Sequence, residues 1–220
     1  MSVAVDGITQ VKDLSATNPI TFNHTCSGHD RYLIVGISSR SGGATVSSVT
    51  YGGVAMTALG TAANLSFSVM FMYGLVNPPG GTNQVSVTMS AVSQIVIAAV
   101  CFNGVAQTSS TGTFASATGT NAAPSVNVTS ATGELVVDTL AHREASPVTT
   151  VTVGAGQFQI WQDNTGATTA DILGAGSTEP GAATVTMSWT ATASARWAIG
   201  GISLRPAATR NNPWLGTEIG

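Results

Sequence analysis

Gln84-Val-Ser-Val-Thr-Met89 is the stretch from which the fold class can be read. Val85, Val87 and Met89 alternate with Ser86 and Thr88, and successive side chains of a β-strand point to opposite faces. A strand written this way keeps one face on a core and one in water, as antiparallel sheets do. Similar short β-branched runs, bounded by Gly, Asn, Ser or Pro, recur along the chain. Strands are expected over 20–24, 32–38, 46–51, 68–76, 84–89, 95–102, 126–129, 135–141, 149–153, 157–162, 184–189 and 197–204. No segment carries a capped apolar pattern of helical period, so the fold class is all-β.

Working outward, the strands recur in order. Leu33-Ile-Val-Gly-Ile-Ser returns 102 positions on as Leu135-Val-Val-Asp-Thr-Leu. At the same offset Val49-Thr-Tyr-Gly-Gly answers Val151-Thr-Val-Gly-Ala, and Ile97-Ala-Ala-Val-Cys-Phe answers Ile199-Gly-Gly-Ile-Ser-Leu. Pro79-Gly-Gly and Val87-Thr-Met-Ser find partners at Pro180-Gly-Ala and Val185-Thr-Met-Ser. Ordered matches at a near-constant offset read as an internal duplication. The expected fold is an antiparallel β-sandwich, jelly-roll or Greek-key-like, built from two internal repeats. The first β repeat spans 1–107, a Ser/Thr/Gly-rich connecting loop 108–123, the second repeat 124–206, and a C-terminal tail 207–220. Two tandem sandwiches and one sandwich with a shared core both fit. Phe114, and the lack of proline in the connection before Pro124, favour a loop laid over one body.

Hydrophobic residues make up 43% of the 220, enough for a core. Charged residues make up 8%, where an ordinary soluble domain carries about 25%. Ser, Thr and 25 Gly fill the gap, so polar faces must be hydroxyl and amide surfaces. A net charge of −3, one lysine (Lys12) and arginines scattered along the sequence argue against a nucleic-acid partner. The start Met1-Ser-Val-Ala-Val-Asp-Gly reads as leaderless, and no apolar run approaches the ~18 residues of a membrane span. Cys101, in Ala98-Ala-Val-Cys-Phe, is expected to act as a small buried hydrophobe. Two inert thiols are expected, with a bond from Cys101 to Cys26 as the alternative.

Candidate chemistry is sparse. His24, His29 or Asp30, and Glu144 are the residues that a metal would use, but their spacing matches no zinc pattern and no metal is expected. Among the acids only Asp138 falls inside an expected strand, where a period of two lets it face solvent. There is no Gly-x-Ser-x-Gly elbow, P-loop or Cys-x-x-Cys, so the expectation is no enzyme and no cofactor. Trp189 and Trp197 flank one expected hairpin and are the candidate sugar platform, or else caps on the edge of the core. Pro213, Trp214 and Leu215, beyond the last strand, are the candidate partner-binding anchor, since aromatics carry contact energy well.

Val49-Thr-Tyr-Gly-Gly-Val-Ala-Met-Thr, Gly174-Ala-Gly-Ser-Thr-Glu-Pro-Gly-Ala-Ala, Val185-Thr-Met-Ser-Trp and Trp197-Ala-Ile-Gly-Gly-Ile-Ser-Leu resemble β-sandwich proteins of tailed bacteriophages and environmental bacteria. The resemblance covers most of 19–206 and rests on turn and core patterns, which specify fold better than role. It implies a virion structural component, such as a capsid decoration or tail-associated protein, made in the host cytoplasm. Its partners would be copies of itself and other virion proteins, with no nucleic acid or membrane. Cell-surface relatives imply the alternative, an extracellular adhesive or carbohydrate-binding module that meets surface glycans.

Overall fold

The structure, a computed structural model, describes residues 2–13, 17–40, 43–65, 67–91, 93–144 and 149–208. Among them are seventeen strands, numbered here along the chain, and no helix. One inner sheet runs β1 (Ala4–Asp13), β9 (Gln94–Asn103), β3 (Tyr32–Arg40), β7 (Ser68–Val76), β6 (Thr57–Asn64). The outer sheet beside it runs β2 (Ile20–Cys26), β8 (Gly81–Met89), β4 (Val46–Tyr51), β5 (Val54–Ala55). A second inner sheet runs β10 (Ala115–Gly119), β17 (Trp197–Leu204), β12 (Leu135–Arg143), β15 (Ile172–Pro180), β14 (Phe158–Asn164). Its outer sheet runs β11 (Ser125–Thr129), β16 (Thr184–Ala191), β13 (Val151–Val153). Every ladder is antiparallel.

Set β1–β4 and β6–β9 against β10–β13 and β14–β17, and the two inner sheets have the same strand order. So do β2-β8-β4 and β11-β16-β13. Each half is a sandwich of one inner and one outer sheet, and the two inner sheets lie face to face. β3 meets β12, β1 lies over β14, and β6 lies over β10. The molecule is a stack of four sheets with three cores.

The first core joins the Val85, Val87 and Met89 face of β8 to Leu33, Val35 and Ile37 of β3. The middle one packs Ile34, Met70, Met72 and Val96 against Val137, Ala141, Ile172 and Ile202. In the third, Val136, Leu140 and Ile199 meet Val126, Val128, Val185 and Met187. An inner strand is therefore buried on both faces, and β17 is buried from end to end. That explains both the unbroken apolar and small-residue runs and the low charge of the central inner strands, since neither of their faces reaches water.

Five strands escape the sequence reading. β1, β5, β6 and β10 lie at sheet edges or are short, and carry small or polar residues. β15 is central, but Gly174-Ala-Gly reads as a turn. Glycine is needed there because a Cβ on Gly174 would sit 2.8 Å from Val96 Cβ and 2.9 Å from Ser38 Cβ. The expected connecting loop 108–123 is corrected accordingly, because Ala115–Gly119 is the edge strand of the second inner sheet. Gly52 (φ 55°) and Gly53 (φ 79°) form the β4–β5 hairpin, where a two-residue turn needs left-handed backbone twice.

The expectation of two inert thiols is also overturned. Cys26 on β2 and Cys101 on β9 form a disulfide across the first core, with Cα atoms 5.5 Å apart. At this point the two sheets approach more closely than their general spacing, and the Cα separation falls within the range of about 4.4–6.8 Å that a disulfide spans.

Candidate functional sites

Trp189 and Trp197 are 2% and 5% exposed, both inside the third core. Neither ring presents a face to water, so they are no sugar platform. Each uses its polar edge instead: Trp197 Nε1 donates to Asn121 Oδ1 at 3.1 Å, and Trp189 Nε1 donates to Asp138 Oδ2 at 2.7 Å. Asp138 does not face solvent as expected. It is wholly buried on the side of β12 that meets the third core.

A buried carboxylate is tolerable only when its oxygens are occupied. Asp138 Oδ1 accepts from Ser177 N at 2.6 Å and from Ser177 Oγ at 2.9 Å. Gln157 Nε2 donates to Ser177 Oγ at 2.7 Å, and Gln157 Oε1 accepts from Ser188 N at 2.7 Å. The result is a polar chain from β12 to β16, clamping the inner sheet to the outer one. Burial pushes the Asp138 carboxyl up to about 7, against the pull of its Trp189 and Ser177 donors. Through these bonds it ties β12 to β15 and β16.

The histidines are not brought together. His24 is buried in the first sandwich, with Nδ1 3.0 Å from Thr9 Oγ1 and its ring edge-on to Tyr51. Burial lowers its pKa to about 4, and Asp6 opposes this weakly. His142, on β12, is buried in the second half and likewise lowered to about 4 by desolvation. His29 and Asp30 lie on the β2–β3 turn, and Glu144 Oε2 accepts from Thr149 N at 2.8 Å. No group of three His, Cys, Asp or Glu among the described residues is placed to hold a metal. Pro213, Trp214 and Leu215 lie outside the described residues.

What the sequence hides is a cluster of cations. Three of the arginines converge on one ring: the guanidinium carbons of Arg40, Arg196 and Arg143 lie 4.9, 5.1 and 5.3 Å from the Phe67 centroid. Arg40 ends β3, Arg143 ends β12, and Arg143 N donates to Arg196 O at 2.8 Å just before β17. Strand ends that are far apart in sequence thus share one end of the stack. The only available sign was that two of them close counterpart strands. Arg143 Nε donates to Thr169 O at 2.9 Å, and Arg196 Nη1 donates to Asn64 Oδ1 at 3.1 Å. Burial and the Arg143 charge lower the Arg40 pKa, with Asp171 opposing. Beside the ring lies a cleft of about 280 Å³, lined by Arg143, Arg196, Glu144, Thr120, Thr169 and Ser194.

Two larger cavities, of about 480 and 390 Å³, share Val76 and Gln107 and so form one groove. Asp30 (φ 52°), Asn77 (φ 46°) and Ser109 (φ 51°), all left-handed, lie along it. The groove also carries Asp30 and Arg31, charges of opposite sign.

No protein-family model matches this chain, and no curated protein sequence matches it.

Proposed function

We propose that the chain is a non-enzymatic structural component of a particle, of the tailed-bacteriophage virion type, acting through protein–protein contacts. The observation that carries this reading is the chemistry of the two outermost faces. β16 turns Thr184, Thr186, Ser188 and Thr190 outward beside Ser125, Asn127 and Thr129 of β11. At the far side Thr21, Asn23 and Thr25 of β2 lie beside Gln84, Ser86 and Thr88 of β8. None of the seven outer-sheet strands contains Asp, Glu, Lys or Arg. Broad uncharged hydroxyl and amide faces suit repeated contacts made by hydrogen bonds and packing, which salt does not screen.

Two further features support it. Phe158, 68% exposed on the edge strand β14, is an aromatic anchor of the kind that concentrates contact energy. A disulfide across a core suits an oxidising setting such as a virion surface. Partners are copies of the chain and other particle proteins. The carbohydrate-binding alternative no longer has its tryptophan platform and would have to use the groove at Val76 and Gln107.

Sedimentation of the purified chain over a concentration series, at low and high salt, tests the proposal. Assembly that persists at high salt and is lost in Thr186→Lys, with an unchanged melting temperature, is the expected result. A chain that stays monomeric at every concentration and does not bind particles would sink it.

A further inference from the structure

We infer that the groove at Val76 and Gln107 binds an uncharged saccharide through polar groups that the fold leaves unpartnered. Buried polar groups nearly always have a hydrogen-bond partner, so a wall that holds several without one calls for a ligand to complete it. Tyr32 opens β3, is 3% exposed and lines the groove. Among the described residues nothing hydrogen-bonds its hydroxyl, and burial pushes that hydroxyl up to about 12, so it stays a neutral donor. Gln107 Oε1 and Ser110 Oγ, on the same wall, are buried and have no partner either.

The wall is held in place by its own bonds. Gln107 Nε2 donates to Arg31 O at 3.2 Å and to Val105 O at 2.8 Å, which fixes the amide. The Tyr32 hydroxyl lies over Gly74, where a Cβ would collide with it, and Leu59 Cδ1 lies 3.0 Å from the same point. Position 74 must therefore stay bare for the hydroxyl to sit there. Arg31 is spent on the surrounding turns: Nε donates to Pro78 O at 3.0 Å, Nη1 to Gly28 O at 2.7 Å and Nη2 to Asn77 Oδ1 at 3.3 Å. The unpartnered groups are all uncharged, and Leu59, Leu75 and Val76 run beside them as an apolar strip. A pyranose ring carries both halves of that pattern, a C–H face and a rim of hydroxyls that donate and accept. Cavities of about 480 and 390 Å³ have the size of small-molecule sites, roughly 300–1,000 Å³. The groove lies apart from the outer faces, so this inference stands or falls independently of assembly.

An array of neutral, acidic and amino glycans probed with the full chain, followed by calorimetric titration of the best neutral glycan, tests the inference. Neutral glycans should bind, and acidic ones no better. Tyr32→Phe and Ser110→Ala each remove only a hydroxyl that no protein group uses, so the melting temperature should hold or rise. Each should nevertheless weaken binding about fivefold or more, the worth of one net hydrogen bond. Val76→Trp, which fills the groove, should abolish binding. Thr186→Lys, on an outer face, should bind the glycan as the parent does whether or not it assembles. No neutral glycan bound, binding confined to acidic glycans, or full affinity in both Tyr32→Phe and Ser110→Ala would each overturn it.

Discussion

The Ser38 hydroxyl donates to the Leu140 carbonyl at 2.8 Å, and these two residues are 102 positions apart. That separation is the offset at which the sequence motifs recur, so each residue meets its own counterpart where β3 meets β12. Self-meeting of this kind is what a two-fold relation between like halves produces. We propose on this basis that the chain is a duplicated unit, with 1–107 and 124–206 as its expected copies.

The close approach of the inner sheets should make Gly174 intolerant of the smallest side chain. Its neighbours, Val96 Cβ and Ser38 Cβ, belong to a strand pair packed on both faces and cannot swing away. Gly174→Ala is expected to lose about 1–3 kcal/mol by overpacking. Urea denaturation measures it, and a neutral result would show that the sheets can separate.

The Cys26–Cys101 bond closes a loop across 75 positions. Chain-entropy reasoning puts its contribution at about 4 kcal/mol. Denaturation with and without reductant should differ by about that much. Cys26→Ala/Cys101→Ala should match the reduced protein.

Stability should rise with pH through the acid range. His24 and His142 have folded pKa values of about 4, below the unfolded value of 6.5. The unfolded chain therefore binds protons that the fold refuses, and stability is lost as pH falls from about 6.5 toward 4. Asp138 acts oppositely: its folded value of about 7 lies above the unfolded 3.8, so its contribution is full below 3.8 and lost as pH rises through 7. For these three groups the balance in the shared window is one net proton, a slope of about 1.4 kcal/mol per pH unit, which the raised Glu179 carboxyl reduces. Asp138→Asn removes the opposing titration and should about double that slope. Denaturation at several pH values reads it directly, and an unchanged slope would mean Asp138 does not titrate there.

Phe67 should hold the seam between the halves. Arg40 comes from the first half, Arg143 and Arg196 from the second, and each cation–ring contact contributes roughly 0.5–1 kcal/mol. Phe67→Leu keeps the apolar bulk and loses the ring field, and should cost about 2 kcal/mol. A loss no larger than that of Phe158→Leu, on an exposed edge, would show that the contacts add nothing.

Strands with one wet face were legible because their alternation survives in the sequence, as Val85 to Met89 shows. Inner strands with long β-branched apolar runs, such as β3 and β9, were legible too, while edge strands and the glycine-broken β15 were not. β15 hides behind Gly174 and Gly176, and the edge strand β10 hides in Ala-Ser-Ala-Thr-Gly. Asp138 was misplaced because period two fixes which residues share a face, while only the fourth layer makes that face an interior. The arginines were unreadable for a different reason. Residues 40, 143 and 196 become neighbours only through sheet order and face-to-face stacking, neither of which leaves a local mark.

Four sheets at about 10 Å spacing put the outermost faces roughly 30 Å apart. They look in opposite directions and carry the same uncharged hydroxyl chemistry. The surface through which like halves recognise each other is already consumed inside the chain. Under the assembly role proposed above, such a body would serve as a rigid spacer with two similar ends, suited to columns or bridges.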